Sequence, residues 1–184
     1  MAQQVLFGPS WPLGRLRPPR TVRVFGFSAK PVILALMTPL GYVEIEHPWY
    51  SNEDMPIYRW VFPEGATDEE LTACLDAREA WGEKARYHVA WVIDLSSITK
   101  APATQRKMFG EHLRRFEPHN LRWNTGSALI VPNAWLRGLV TAVFWFSPPK
   151  FPTKLFSDPV AAEQWAKQQL ADKLAAEQGP ARAI

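Results

Sequence analysis

The chain has 184 residues, enough for one domain with a sizeable core, and 47% of them are hydrophobic, which is ordinary for a globular protein. The net charge of +3 arises in the first 36 residues, which hold five basic residues and no acid, whereas the remainder has 16 basic and 18 acidic residues. The main body is therefore not a basic nucleic-acid binder, and we expect no nucleic-acid partner. The single cysteine, Cys74, excludes an internal disulfide, and it favours a reducing cytoplasm and a buried structural thiol.

Nine tryptophans are scattered along the chain without marking a repeat. We expect most of them to supply core area, with an indole N–H that needs a partner. The alternative is an exposed tryptophan-rich surface, which would mark an interface.

Residues 1–36 are rich in Pro and Arg and show no sustained helical or strand period, which predicts a poorly ordered N-terminal extension. The apolar run at 32–37 is too short to span a bilayer. A secretory signal is weakly supported because no small-residue cleavage site follows a continuous apolar core. Met37 is an alternative start, in which case the extension is not natural.

The pattern becomes regular from residue 42. Alternating apolar and polar residues predict half-exposed strands over 42–50 and from 57 to a turn at 63–65. A helix follows, with Thr67 as its N-cap and Glu70 completing a capping box. Its predicted apolar stripe consists of Leu71, Cys74, Leu75 and Trp81.

The most continuously apolar run, YHVAWVIDL at 87–95, predicts a strand covered on both faces. The remaining elements are a helix over about 101–116, a strand at 126–133, an apolar helix at 134–146, a strand at 153–157, and a last helix capped by Asp158 or Ser157. The predicted order is β-β-α-β-α-β-α-β-α, which indicates a layered α/β fold.

Sequence motifs for catalysis or cofactor binding are missing. The four histidines lack metal-ligand spacing, the glycines form no phosphate loop, and no nucleophile elbow is present. We therefore expect no cofactor, no metal site and no catalytic residues. Asp94, at the end of the buried strand, is either an acid or ligand, or the acceptor of backbone N–H bonds in a turn, and we favour the turn.

A buried strand ending in VIDLSSI, preceded by β-β-α and followed by further α and β elements, resembles the STAS domains of bacterial anti-sigma factor antagonists and the broader SpoIIAA-like (STAS/SEC14-type) proteins. The closing KLFSDPVAAEQWAKQQL also looks like the end of such domains. The resemblance covers about residues 40–175. It implies a single domain at 37–178 followed by a tail at 179–184, with a mixed central sheet of four to five strands and about four helices.

The resemblance implies a non-enzymatic switch, in which phosphorylation of a serine at the start of the helix after this strand breaks a complex with a regulatory protein. The acceptor would fall at 100–103, where this chain reads Lys-Ala-Pro-Ala and has no hydroxyl. Either the switch is lost, or Thr99 or Thr104 has taken it over. We also expect Thr99 to be the N-cap of the next helix.

The leading hypothesis is therefore a cytoplasmic protein-interaction module that binds another protein through the turn at 96–104 and the helix after it. An acidic partner would meet the cationic face of that helix, which includes Arg114 and Arg115, whereas a solvated face with pairs from Lys107 to Glu111 and Glu111 to Arg115 is the alternative. The candidate residues are Ser96, Ser97, Thr99, Lys100, Thr104, Arg106 and Lys107.

A second hypothesis is a carrier of an apolar ligand or lipid, or a membrane-surface protein. The very apolar segment 136–152 supports it, with Phe144, Trp145 and Phe146 as the candidate surface. Packing of this helix under the sheet is the simpler account. An enzyme that combines Asp94, His88 and the serines ranks third. The sequence leaves the oligomeric state open.

Overall fold

The computed structural model describes residues 41–146 and 148–179, and at positions 142, 143 and 146 the backbone only. All described residues fall in one compact unit. The predicted extension at 1–36 and positions 180–184 of the predicted tail lie outside the described residues. The elements are β1 (Tyr50–Ser51), β2 (Ile57–Val61), α1 (Asp68–Lys84), β3 (Val89–Asp94), α2 (Ala103–Trp123), β4 (Asn124–Ile130), α3 (Ala134–Phe146), β5 (Thr153–Phe156) and α4 (Pro159–Gln178).

The five strands form one mixed sheet in the order β1-β2-β3-β4-β5. β1 pairs antiparallel with β2, and every later pair is parallel. Parallel strands need crossover connections, and helices supply them here. The parallel strands all end on one side of the sheet, the carboxyl edge, which comprises the segments that follow Val61, Asp94, Ile130 and Phe156.

The sheet is covered on both faces, as the continuous apolar run of β3 predicts. Its Val89 and Trp91 lie in a core with α1 and α2, whereas the alternate residues Ala90 and Val92 lie in a second core with α4. Side chains of successive strand residues point to opposite faces, so one strand serves both cores. The α/β layering with a mixed five-stranded sheet and four helices agrees with the predicted class.

Local cap chemistry was predicted correctly at two helices. Thr67 Oγ1 accepts the N–H of Glu70 at 3.1 Å, and the Glu70 carboxylate accepts the N–H of Thr67 at 2.9 Å, which completes the capping box of α1. Asp158 accepts the N–H groups of Val160 and Ala161 at the start of α4. These bonds satisfy N–H groups that have no partner within the helix.

The first predicted strand is wrong for most of its length, because only Tyr50 in 42–50 belongs to β1. The Asn52 amide accepts the N–H of Ile45 at 3.0 Å and donates to its carbonyl at 3.1 Å. The backbone of Ile45 is thus paired with a side chain rather than with a neighbouring strand. Ile45 is still buried, as the alternating pattern predicted.

The second helix starts later and ends later than predicted. Its first residue is Ala103, and it continues through Pro118 to Trp123 instead of ending at Phe116. Proline inside a helix removes one backbone donor. The extra turns bury Asn120, whose amide accepts a bond from Arg78 of α1 at 3.2 Å.

Candidate interaction site

Asp94 organises the turn at the end of β3. Its Oδ1 accepts the backbone N–H of Ser96 at 2.9 Å and also the Ser96 hydroxyl. Its own carbonyl accepts the N–H of Phe62, which follows β2, at 3.0 Å. Asp94 therefore holds a turn, as the favoured interpretation predicted, and an Asp side chain that bonds to the backbone two residues later is a common device for this.

The segment 95–102, called the β3–α2 loop below, is fastened to the rest of the domain. Leu95 and Ile98 pack against the core beneath α1 and α2. The Thr99 hydroxyl donates to the Glu64 carboxylate at 3.3 Å, and the Gln105 amide donates to the carbonyl of Ala66 at 2.7 Å. Two neighbouring loops of the carboxyl edge are thus joined directly.

Thr99 is not the N-cap of α2, contrary to prediction. Pro102 occupies that position and forms no side-chain cap bond, and α2 begins at Ala103. The preferred φ of proline suits the start of a helix and can fix the entry of the chain without a capping hydroxyl. Thr99 instead bonds Glu64 across the edge, while Thr104 lies in the first turn of α2.

The predicted interaction residues all lie at the surface. The structure brings them together as one continuous stretch, formed by the β3–α2 loop and the first turns of α2. The exposed members are Ser96, Ser97, Thr99, Lys100, Thr104, Arg106 and Lys107.

The cationic residues of α2 use other partners than the predicted pairs. Arg115 contacts Glu79 of α1 at 2.7 Å rather than Glu111, and the ion pairs of the described residues do not include one between Lys107 and Glu111. Arg106 donates to the carbonyl of Ala101 at the loop end. The expected series of pairs along α2 is therefore wrong, because Arg115 reaches across to the neighbouring helix.

A buried polar cluster between α1 and α2 was not predicted. The Arg78 guanidinium donates to His112 Nε2 at 3.0 Å and to Asn120 Oδ1 at 3.2 Å, and all three residues are buried. Arginine can only donate. His112 Nε2 is therefore the acceptor, and its Nδ1–H donates to the Glu79 carboxylate at 2.9 Å.

Burial sets the protonation of this cluster. It lowers the pKa of Arg78 to about 10, which leaves the guanidinium charged at neutral pH. Burial, and then the neighbouring Arg78 charge, lower the pKa of His112 to about 4 against the smaller opposing effect of Glu79. His112 is accordingly a neutral core residue.

Aromatic rings complete the surroundings of Arg78. Its guanidinium carbon lies 4.5 Å from the ring centre of Phe116, 4.6 Å from that of Trp91 and 5.2 Å from that of Trp60. Aromatic faces attract cations, so they offset part of the loss of hydration. The sequence did contain a signal for this buried face of α2, since His112, Phe116 and Asn120 recur every four residues. Two of the three are polar, so the face does not stand out as an apolar stripe.

Cys74 belongs to the same core, as predicted. It is fully buried, and burial raises the pKa of its thiol to about 11. The thiol donates weakly to the Tyr50 hydroxyl at 3.4 Å. This environment fits a structural thiol rather than a nucleophile.

The apolar helix α3 matches its predicted bounds, but its outer surface is open. Trp145 is 81% exposed and Trp135 is 57% exposed, whereas Leu136 is buried. Phe144 is partly buried, and at Phe146 only the backbone is described. The prediction that α3 packs under the sheet fails for its two tryptophans, while Leu136 is a buried residue of the helix.

Two cavities are described, and α3 lines neither of them. One of about 230 Å³ lies between β2 and the start of α4, with Arg59 and Glu163 in its wall. The other, of about 440 Å³, is an open groove between α1 and α2 that includes Glu79 and Arg115. The first is lined largely by polar or charged residues, whereas the second combines charged residues with Phe116 and Trp123.

Within residues 41–146 and 148–179, no group of three or more His, Cys, Asp or Glu side chains is placed to hold a metal ion. In the same residues, no helix has both the length and the apolar character needed to cross a bilayer. Comparison of the chain with family models, curated proteins and solved structures gave no match.

Proposed function

We propose that this chain is a non-enzymatic regulatory module that binds another protein through the β3–α2 loop and the first turns of α2. The proposal keeps the resemblance to STAS domains of bacterial anti-sigma factor antagonists, in which the equivalent segment is the regulated contact. A cytoplasmic location fits the single buried cysteine.

One observation supports the proposal most. The β3–α2 loop is attached to the core by Leu95 and Ile98 and to a neighbouring loop by Thr99, while its remaining polar side chains are exposed. A loop that is already ordered loses less conformational entropy when a partner binds. Polar side chains presented on a fixed loop are typical of recognition sites.

The charge of this surface defines the partner. Lys100, Arg106 and Lys107 are exposed within eight positions, and the same stretch from Ser96 to Lys107 contains no acid. Complementary charges across an interface raise the association rate and select the partner. The partner therefore presents an acidic surface.

The available hydroxyls suggest how binding is regulated. Ser96 is engaged by Asp94, whereas Thr104 lies exposed in the first turn of α2. Phosphorylation adds about −1.5 to −2 charges at neutral pH. A phosphate at Thr104 would repel an acidic partner, so we propose Thr104 as the switch position, with Thr99 as the alternative.

Affinity capture from a native lysate with the tagged full chain tests this function. We expect a discrete acidic protein to be retained by the wild type and lost with Thr104→Glu or with Arg106→Glu/Lys107→Glu. Thr72→Glu, an exposed threonine on α1, is the matched control and should retain it. Equal capture by all variants, or no specific protein, would remove the loop from the proposal.

A further inference from the structure

The outward face of α3 is apolar. Trp135, Gly138 and Trp145 are exposed, and at 3.6 residues per turn these positions fall within about 80° of one another. A surface helix of a globular protein normally turns polar residues to the solvent. Here the solvent-facing side has two tryptophans with a glycine between them.

Leu136 and Arg137 mark the inward side of α3. Leu136 is buried at 3% exposure, and Arg137, beside it, donates to the carbonyl of Val131 at 3.0 Å. This arrangement fixes which face of the helix meets the protein. Trp135 and Trp145 lie about 100° and about 180° around the helix from Leu136, and both are exposed.

The sequence around α3 is free of acids. From Pro118 to Ser157 there is no Asp or Glu. The basic residues of this stretch are Arg122, Arg137, Lys150 and Lys154. Lys150 contacts Glu117, which lies just before the stretch, and Lys154 lies 5.3 Å from the ring centre of Phe156. The segment is thus cationic as well as apolar.

We infer that α3 docks on the surface of an anionic lipid bilayer, with Trp135 and Trp145 in the headgroup region. Tryptophan prefers the membrane–water interface because its ring is apolar and its N–H is polar. Basic residues around an apolar helix add attraction to anionic lipids. Because α3 has only 13 residues, it lies in the plane of the membrane rather than across it. This inference goes beyond the proposed protein-binding function and involves a different surface.

Flotation of the full chain with lipid vesicles tests the inference. Phosphatidylcholine vesicles with and without 30 mol% phosphatidylglycerol, roughly the anionic content of a charged leaflet, are compared at low and high salt. We expect binding to the anionic vesicles that weakens with salt. Trp135→Ser/Trp145→Ser should lower the partition coefficient by about tenfold or more, because the apolar contact area is lost.

Two further variants make the test specific. Leu121→Ser/Val160→Ser removes two exposed apolar residues from α2 and α4, and should leave partitioning unchanged. Lys150→Gln/Lys154→Gln should reduce partitioning into anionic vesicles by about fivefold per lysine. Partitioning into neutral vesicles should not change. Thermal melting of each variant checks that the fold is intact.

Three results would overturn the inference. The wild type could fail to float with anionic vesicles, or the double tryptophan variant could float as well as the wild type. Alternatively, gel filtration could show a dimer that the tryptophan variant abolishes, which would assign the face to a second copy of the chain. None of these results affects capture of a partner by the β3–α2 loop, so the two proposals fail separately.

Discussion

The tryptophans of the sheet core and those of α3 have opposite exposure to solvent. Trp60 and Trp91 are at most 1% exposed, and both lie against the Arg78 guanidinium. Trp135 and Trp145, both on α3, are mostly exposed. A high tryptophan content therefore predicts neither burial nor exposure, because the environment of each ring depends on the strand or helix that carries it.

The largest expected effect comes from Arg78→Ala. The change removes a buried side chain from between aromatic rings and leaves His112 Nε2 and Asn120 Oδ1 without their donor. We expect a loss of about 3–5 kcal/mol in the free energy of unfolding, measured with urea. Trp145→Ser on α3 is the counterpart and should stay within about 0.5 kcal/mol. Similar losses at both sites would contradict the contrast between the two regions.

A smaller effect is expected from pH, because only the sheet core contains a buried histidine of lowered pKa. Burial lowers the pKa of His112 to about 4 in the folded state, against about 6.5 in the unfolded state. The unfolded chain therefore binds more protons between these values. The contribution of His112 to stability is complete above about pH 6.5, and it is lost progressively as pH falls towards 4, by up to about 3 kcal/mol.

Urea unfolding at several pH values from 4 to 7 measures this loss. His112→Gln keeps an acceptor for Arg78 and removes the titration, so its stability should fall less between pH 6.5 and 4 than that of the wild type. Burial also lowers the pKa of His119 and His47, and both remain in the variant, so the difference between the two curves reports His112 together with its partner Glu79. Parallel curves would show that the imidazole is not neutral in the core.

The smallest of the three effects concerns how closely α1 and α2 pack. A Cβ added at Gly82 would lie 2.4 Å from the Phe116 ring, whereas one at Gly110 of α2 meets nothing within 4 Å. We expect Gly82→Ala to destabilise the fold by about 1–3 kcal/mol. Gly110→Ala should stabilise it by about 0.5–1 kcal/mol through helix propensity. Melting temperatures of the pair test this, and two shifts of the same sign would be unexpected.

Signals that act within a few residues predicted the elements well. The capping box of Thr67 and Glu70 and the cap at Asp158 both form as expected, because each depends on side chains next to the backbone they satisfy. The order of strands and helices followed from the same local patterns.

Contacts distant in sequence were less predictable. The side chain of Asn52 bonds to the backbone of Ile45 where a strand was predicted. The bond from Arg78 to Asn120 lies in the part of α2 that continues beyond Pro118. Threonine is favoured at helix N-caps, but the hydroxyl of Thr99 instead donates to Glu64 of another loop. Such partners depend on the assembled fold, so a hydrophobic pattern along the chain does not identify them.

The candidate site was predictable in place but not in detail. Its seven residues lie within the twelve positions from Ser96 to Lys107, so their proximity after β3 follows from the sequence alone. What the sequence did not reveal is that Thr99 of the loop bonds to Glu64 and that Gln105 of α2 bonds to Ala66. The exposure of Trp135 was also missed, since an apolar helix is most often packed against the sheet.

The Arg78 cluster limits where the polypeptide can be divided. Its donor belongs to α1, while its acceptors lie 34 and 42 residues later on α2. A fragment that stops before residue 112 would contain a guanidinium in an apolar core with neither of its acceptors, which is strongly unfavourable. Strands β2 and β3 and helices α1 and α2 therefore fold together, and a truncation between Arg78 and Asn120 would disrupt all four.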